Sequence, residues 1–177
     1  MLTHRVRAAH MFWATLAMAG CGGEAAKDGA VVKGEPTKSR TVEACSLLTP
    51  EEIAAVTSAK VADIKPVMYG SVGTCNYEVS NVPLPVVSIL LAPNMPDVAT
   101  SAEMVDWRTK QVGSGYAGIK FIITPVEGLG VPAIRNEVEG AGLVTIEAAA
   151  KGWLLDVTTS SLEMSKALMP KALARLP

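Results

Sequence analysis

The feature that most constrains the fold is a series of short apolar runs near the C-terminus, separated only by tight turns. Runs at 133–138, 143–148 and 153–159 are rich in apolar and β-branched residues. A Glu-Gly-Ala-Gly turn separates the first two runs, and a Lys151-Gly152 turn separates the last two. Strands joined by connections this short pair antiparallel with their chain neighbours. The sequence therefore predicts an antiparallel meander.

Further runs upstream extend the same sheet. Residues 61–67 and 74–79 flank a Gly-Ser-Val-Gly turn, which is typical of a hairpin. Residues 86–91 form a continuous apolar run of the kind found in buried strands, and residues 119–124 form another strand candidate. Together these runs predict a mostly antiparallel sheet of about six or seven strands.

Capping boxes mark where helices begin between the runs of strands. In such a box, a Ser or Thr hydroxyl accepts a hydrogen bond from the amide three residues on, and the Glu there returns one. The boxes are Thr49 with Glu52, Thr100 with Glu103, and Ser160 with Glu163. Pro170 predicts a kink in the last helix, because proline has no backbone N–H to donate. The order of helices and strands predicts an α+β domain with helices packed on one face of the sheet.

The first twenty residues have the pattern of an export signal. Arg5 and Arg7 precede an uncharged run of about a dozen residues, which ends in Met-Ala-Gly before Cys21. A membrane-spanning helix needs roughly 18 or more apolar residues, so the run is short for a permanent span. The segment resembles a lipoprotein signal peptide over residues 1–20, with Cys21 as the lipidated first residue. The alternative is an ordinary signal peptide with a cysteine there by coincidence.

The remaining chain divides at about residue 42. Residues 21–42 are small and charged without periodicity, which predicts a lipidated N-terminus followed by a flexible tether. Residues 43–177 are predicted to form a single domain. The protein would then be held outside the cytoplasm in the cell envelope, with the membrane as its first partner. Gly22, rather than Asp, follows the cysteine and favours an outer membrane if the cell has one.

Two cysteines remain once Cys21 is assigned to a lipid. Cys45 and Cys75 form an even pair in an oxidising compartment, which predicts a disulfide. The alternatives are free thiols or a metal site, and the metal site lacks further ligands. We predict no metal and no cofactor.

Several short motifs together resemble a known group of proteins. They are Cys45-Ser-Leu-Leu-Thr49, the later Cys75-x-Tyr77, and a Lys151-Gly-Trp-Leu-Leu-Asp-Val strand before an Ala/Leu-rich helix. The pattern is similar to bacterial lipoproteins that are classified as domains of unknown function and best represented in actinobacteria. The resemblance covers nearly all of residues 43–177. It implies a compact α+β domain with a PsbP-like outline, tethered outside the membrane, and it brings no catalytic residues.

Composition excludes several classes of function. The two histidines, His4 and His10, lie within the predicted signal, so the mature chain would lack Ser-His-Asp catalysis, Cys-His catalysis and histidine metal sites. Sixteen Lys and Arg against seventeen Asp and Glu leave no basic excess for a nucleic-acid backbone. We therefore expect neither an enzyme nor a nucleic-acid binder.

Two patterns mimic functional sites. Gly128-Leu-Gly130-Val-Pro-Ala133 has the spacing of a dinucleotide fingerprint, but Pro132 and the nearby Gly140 leave no room for the helix that would bind phosphate. We interpret it as a connector between strands. Glu137 and Glu139 alternate along a strand as paired catalytic carboxylates can, but two acids on an exposed strand are ordinary.

The best candidates for a recognition surface are Trp107, Arg108 and Tyr116, since aromatic and Arg side chains dominate binding hot spots. The alternative is that these side chains only pack over the sheet. We predict a membrane-anchored binding or interaction module for an envelope protein or a small ligand. A structural or assembly accessory lipoprotein of the envelope is the alternative function.

Overall fold

The structure is a computed structural model, and it describes residues 43–80, 87–93, 97–113, 116 and 118–177. The predictions of a signal peptide at 1–20, lipidation at Cys21 and a tether at 21–42 lie outside the described residues. No helix within the described part of the chain is long and apolar enough to cross a membrane.

The described chain folds into a sheet and three helices after a short 3-10 turn at Ala44–Ser46. In chain order the elements are α1 (Pro50–Thr57), β1 (Val61–Tyr69), β2 (Val72–Val79), β3 (Val87–Pro93), α2 (Ser101–Gly113), β4 (Phe121–Pro125), β5 (Ala133–Val138), β6 (Val144–Ala150), β7 (Trp153–Thr159) and α3 (Leu162–Ala174).

The strands form one seven-stranded sheet in the order β1-β2-β3-β7-β6-β5-β4. Every neighbouring pair is antiparallel, and β7 occupies the middle of the sheet. The predicted α+β class with a mostly antiparallel sheet is confirmed. The predicted meander forms β5, β6 and β7, and the predicted hairpin forms β1 and β2.

The helices lie on both faces of the sheet. Alternate apolar side chains of β2, β3, β6 and β7 are buried and pack with α1 and α3 on what we call the core face; β6 and β7 also bury one acid each on the opposite face. The opposite face, which we call the α2 face, carries α2 over β4 and β5. Met104 of α2 and Ile134 of β5 are fully buried there. The expectation of helices on one face therefore holds for α1 and α3 and is wrong for α2.

The path of the chain explains this difference. β3 and β4 are consecutive strands, but β7, β6 and β5 lie between them in the sheet. The connection must cross that distance, and α2 makes the crossing on the α2 face because the core face is occupied by α1 and α3. The first residue of α2 is attached to β5, since the Ser101 Oγ accepts a hydrogen bond of 3.1 Å from the backbone N–H of Ala133.

Two of the three predicted capping boxes form. Thr49 Oγ1 accepts from the Glu52 amide at 3.3 Å, and a carboxylate oxygen of Glu52 accepts from the Thr49 amide at 3.0 Å. Thr100 and Glu103 make the same reciprocal bonds at 3.2 and 3.3 Å.

The cap predicted at Ser160 with Glu163 is wrong by one residue. Ser161 caps α3, because its Oγ accepts from the Met164 amide at 3.3 Å. The shift has a local cause: Thr159 ends β7, and its Oγ1 accepts from the Ser161 amide, which holds Ser161 in the extended cap conformation. The helix then continues through Pro170 to Ala174.

The predicted disulfide between Cys45 and Cys75 is confirmed, with an S–S distance of 2.01 Å. It joins the 3-10 turn to β2 beside Tyr77, whose hydroxyl donates to the carbonyl of Leu48 at 3.1 Å. Burial is the main cause that raises the pKa of Tyr77 to about 12. Arg175, just after α3, contacts Glu52 of α1 through two hydrogen bonds and so closes the core face.

Candidate functional site

The three predicted contact residues take part in two separate contacts, one between Trp107 and Arg108 and one between Tyr116 and Phe121. Trp107 and Arg108 are half-buried neighbours on α2, and the guanidinium carbon of Arg108 lies 5.4 Å from the centre of the Trp107 ring. Tyr116 is 55% exposed and packs edge-on against Phe121 of β4, with ring centres 5.7 Å apart. Neither Trp107 nor Tyr116 is buried in the core, so both aromatic side chains present surface.

Arg108 has an internal role that the sequence reasoning missed. Its guanidinium reaches through to Glu147 of β6, with Nε and Nη2 donating to Oε1 at 2.9 and 2.6 Å. Nδ2 of Asn136, on β5, donates to the same oxygen at 2.6 Å. Glu147 is fully buried, and charge-assisted bonds of this kind offset part of the cost of burying a carboxylate. Most of the Arg108 side chain is therefore committed to the interior.

A second carboxylate lies beside Glu147 on the α2 face. Asp156 of β7 is the direct cross-strand partner of Glu147, and such partners have Cβ atoms roughly 4.5 to 5.5 Å apart. Asp156 is only 8% exposed. Burial is the main cause that raises its pKa well above the usual range; the charge of Glu147 adds to this, and that of Arg108 opposes it. We call Arg108, Asn136, Glu147 and Asp156 the carboxylate cluster.

Three oxygens of the carboxylate cluster have no donor within the described part of the chain: Asn136 Oδ1, Glu147 Oε2 and Asp156 Oδ1. All three atoms are buried. Most buried polar atoms in proteins are hydrogen-bonded, so three such acceptors on neighbouring residues of one sheet face need an explanation. The carboxylate cluster therefore contains the buried side-chain oxygens that lack a hydrogen-bond donor in the described structure.

The sequence contains a pattern that places Glu147 opposite Asp156. The two-residue turn Lys151-Gly152 sets the register of the β6–β7 hairpin, and this register places Glu147 opposite Asp156. Both acids interrupt otherwise apolar runs. What the sequence does not show is the burial of both, because this depends on α2 crossing the sheet.

The two carboxylates considered from the sequence, Glu137 and Glu139, do not form a paired site. Glu137 is ion-paired with Arg135 on its own strand. Glu139 lies beyond the end of β5, and Lys120 donates to it at 2.8 Å. Each acid thus has its own cation.

The glycine-rich segment at 128–130 lies in the connection between β4 and β5, as the sequence interpretation held. Gly128 and Gly130 adopt φ angles of 86° and 71°, which favour glycine. Together with Ser101 at the start of α2 and Glu127, they line an open cavity of about 680 Å³. Within the described residues, no group of three or more His, Cys, Asp or Glu is arranged to hold a metal ion.

No protein-family model matches the chain, and no curated protein matches it. Among solved structures, the chain is similar to a GTP-binding regulator from Thermotoga maritima at 13% identity, over 72% of this chain and 89% of that chain, with a TM-score of 0.35. A likeness at that identity and TM-score supports no statement about activity or ligand.

Proposed function

We propose that this chain is an extracytoplasmic lipoprotein of the cell envelope, anchored through Cys21, whose domain works as a binding module and performs no chemistry. The basic, apolar and small-residue pattern before Cys21 supports the anchor. The Cys45–Cys75 disulfide is in keeping with an oxidising compartment. The absence of histidine after residue 10 supports a role in binding.

One observation carries the proposed binding surface: the exposed Tyr116 and the half-buried Trp107 are each held in place by a neighbouring side chain. Tyr116 rests on Phe121, and Trp107 is held beside Arg108, whose guanidinium is itself fixed by Glu147. Ile119, which is 47% exposed, lies between Tyr116 and β4 in the chain. Ordered aromatic side chains lose little conformational entropy when a partner covers them, which favours binding. We call Trp107, Tyr116 and Ile119 the aromatic surface.

Site-specific photocrosslinking tests the aromatic surface as the contact with an envelope protein. The full chain, in its native host, carries benzoyl-phenylalanine in place of Tyr116. A matched control carries it in place of Tyr69, which is 68% exposed on the edge strand β1 at the opposite end of the sheet. We expect a discrete crosslinked product from position 116 that the control at position 69 does not give.

A second variant separates recognition from folding. Trp107→Ala should reduce the yield from position 116 by about tenfold or more, since hot-spot aromatics contribute about 2 kcal/mol or more to binding. The variant should still unfold cooperatively, because Trp107 is half-buried and is not part of the buried core. The same products from both positions, or none from position 116, would contradict the proposal.

A further inference from the structure

We propose that the carboxylate cluster beneath α2 is a binding site for a primary alkylammonium group. The inference goes beyond the proposed function, because the cluster lies under α2 and does not depend on the aromatic surface having a partner. It starts from the three buried acceptors Asn136 Oδ1, Glu147 Oε2 and Asp156 Oδ1, to which no described residue donates. The site therefore lacks hydrogen-bond donors for these three oxygens.

The number of donors and the charge both fit an ammonium group. A primary ammonium carries three N–H donors and one positive charge. The cluster offers three unpaired acceptors. Arg108 is paired with Glu147, so Asp156 has no described cation of its own, and a bound ammonium would be the cation that holds Asp156 ionised. One ammonium group would therefore satisfy the hydrogen bonds and the charge together.

Other occupants fit less well. A proton on Asp156 supplies a single donor, and a water molecule supplies two donors without charge. A divalent metal would have two carboxylates and an amide as ligands, with the guanidinium of Arg108 close by, and no described group of three metal-binding side chains exists here. An anion would face the carboxylates of Glu147 and Asp156. Of these single occupants, the ammonium ion is the one that brings three donors together with a positive charge.

The surroundings indicate an alkyl chain on the nitrogen. Leu90 of β3 is the direct cross-strand partner of Asp156, on the side away from Glu147, and Leu154 lies two residues before Asp156 on β7. Both leucines are half-buried on the α2 face, since alternate residues of a strand share a face. Methylene groups next to the ammonium could pack on them. Asp156 is slightly exposed, and we place the opening of the site beside these two half-buried leucines.

Calorimetric titration of the purified full chain tests the site with two probes of equal charge. Butylammonium has three N–H donors and an alkyl chain, whereas tetramethylammonium has the charge and no donor. We expect saturable binding of butylammonium and binding of tetramethylammonium weaker by about tenfold or more, the effect of losing hydrogen bonds to charged groups. Equal affinity for the two probes, or no saturable binding of butylammonium, would overturn the proposal. This comparison uses the wild-type chain alone.

Variants then locate the site. Asp156→Asn keeps the shape of the side chain and removes its charge, and it should weaken butylammonium binding by about tenfold or more. Glu139→Gln changes an exposed carboxylate just beyond the end of β5; it is the matched control and should bind as the wild type does. Unchanged binding by a folded Asp156→Asn variant would place the amine elsewhere and overturn the proposal.

A third probe distinguishes a free amine from a lysine side chain. Nα-acetyl-lysine amide presents the same ammonium on a peptide-like backbone. Binding as tight as that of butylammonium supports a partner's lysine as the occupant, and binding of butylammonium alone supports a small free amine. Both outcomes support the ammonium site. Photocrosslinking at position 116 does not measure amine binding. The proposal of the aromatic surface and the proposal of the ammonium site can therefore be contradicted separately.

Discussion

At the scale of single residues, Glu147 and Asp156 show how neighbouring carboxylates acquire different chemistry. Three N–H donors from Arg108 and Asn136 converge on one oxygen of Glu147, which supports its charge in full burial. No described residue donates to Asp156 Oδ1, and burial raises the pKa of Asp156. The difference follows from position, because α2 brings its arginine to β6.

Asp156→Asn should stabilise the protein in a pH-dependent way. The pKa of Asp156 is raised above its usual 3.8 by burial, so folding favours the protonated carboxyl. The stability from this group is present at low pH and is lost as pH rises through the folded-state pKa. The asparagine variant should match the wild type below about pH 4 and exceed it above the folded-state pKa by roughly 1 to 3 kcal/mol, the cost of an unsatisfied buried polar group.

Urea unfolding across a pH series measures this difference. Glu127→Gln, which changes an exposed carboxylate, is the control and should follow the wild-type curve. A variant without excess stability at high pH would show that Asp156 is not penalised in the folded state.

Arg108→Met should destabilise the fold strongly. It leaves the buried carboxyl group of Glu147 with Asn136 as its remaining described donor, and breaking a buried ion pair by removing one partner costs about 3 to 5 kcal/mol. Lys120→Met removes the partner of Glu139 at an exposed site, where an ion pair contributes about 1 kcal/mol or less. Denaturant midpoints of the two variants measure the contrast. Equal losses would mean that the Arg108 pair contributes no more than a surface pair.

At the scale of elements, the sequence predicts the types of element better than their placement. The glycine turns define β5, β6 and β7, and the capping boxes locate α1 and α2, because these signals are local. The face on which α2 lies depends on the sheet order, which places β7, β6 and β5 between β3 and β4. Since that order is non-local, the sequence showed neither the position of α2 nor the burial of Glu147. The cap of α3 is Ser161 and not the predicted Ser160, because Thr159 Oγ1 accepts a hydrogen bond from the Ser161 amide.

Pro170→Ala should stabilise α3. Proline in a helix interior removes one backbone hydrogen bond and crowds the preceding turn, and it is about 3 kcal/mol less favourable than alanine. The Pro170 side chain is exposed, so its removal leaves the core intact. We expect a gain of roughly 1 to 3 kcal/mol in unfolding free energy, with part of the difference offset by the stiffness that proline gives the unfolded chain. Lys166→Ala, exposed on the same helix, is the control. A melting temperature unchanged by Pro170→Ala would show that the helix already accommodates the proline.

At the scale of the whole molecule, the core face is closed by contacts between distant parts of the chain. The disulfide joins the 3-10 turn to β2, and Arg175 joins the end of α3 to Glu52 and to the carbonyl of Leu47. Hydrogen bonding to Arg175 is the main cause that lowers the pKa of Glu52. The chain entering the domain and the chain leaving it are thus held together on one face.

Replacing both Cys45 and Cys75 with Ser should lower the unfolding free energy by about 3 to 4 kcal/mol, the loop-closure contribution for residues this far apart. The separation is 30 residues along the chain. The fold should survive, because Tyr77 and the buried residues of the core face still hold the 3-10 turn. Chemical denaturation of the double variant measures the loss, with the reduced wild type as a matched comparison. Loss of all cooperative unfolding would show that the core face cannot form without the covalent bond.

Cys21→Ser should release the whole molecule from the membrane, if Cys21 carries the lipid as proposed. The run before Cys21 is about a dozen residues, shorter than the roughly 18 needed to span a bilayer, so we propose the lipid rather than a helix as the anchor. A lipid anchor also raises the effective concentration of the aromatic surface near envelope partners. Partition between detergent and aqueous phases measures the change: the wild type should enter the detergent phase and Cys21→Ser the aqueous phase. Gly22→Ser is the matched control and should keep the anchor, because it leaves the cysteine intact. A wild-type protein without lipid mass, together with a Cys21→Ser variant that stays in the detergent phase, would refute the anchor.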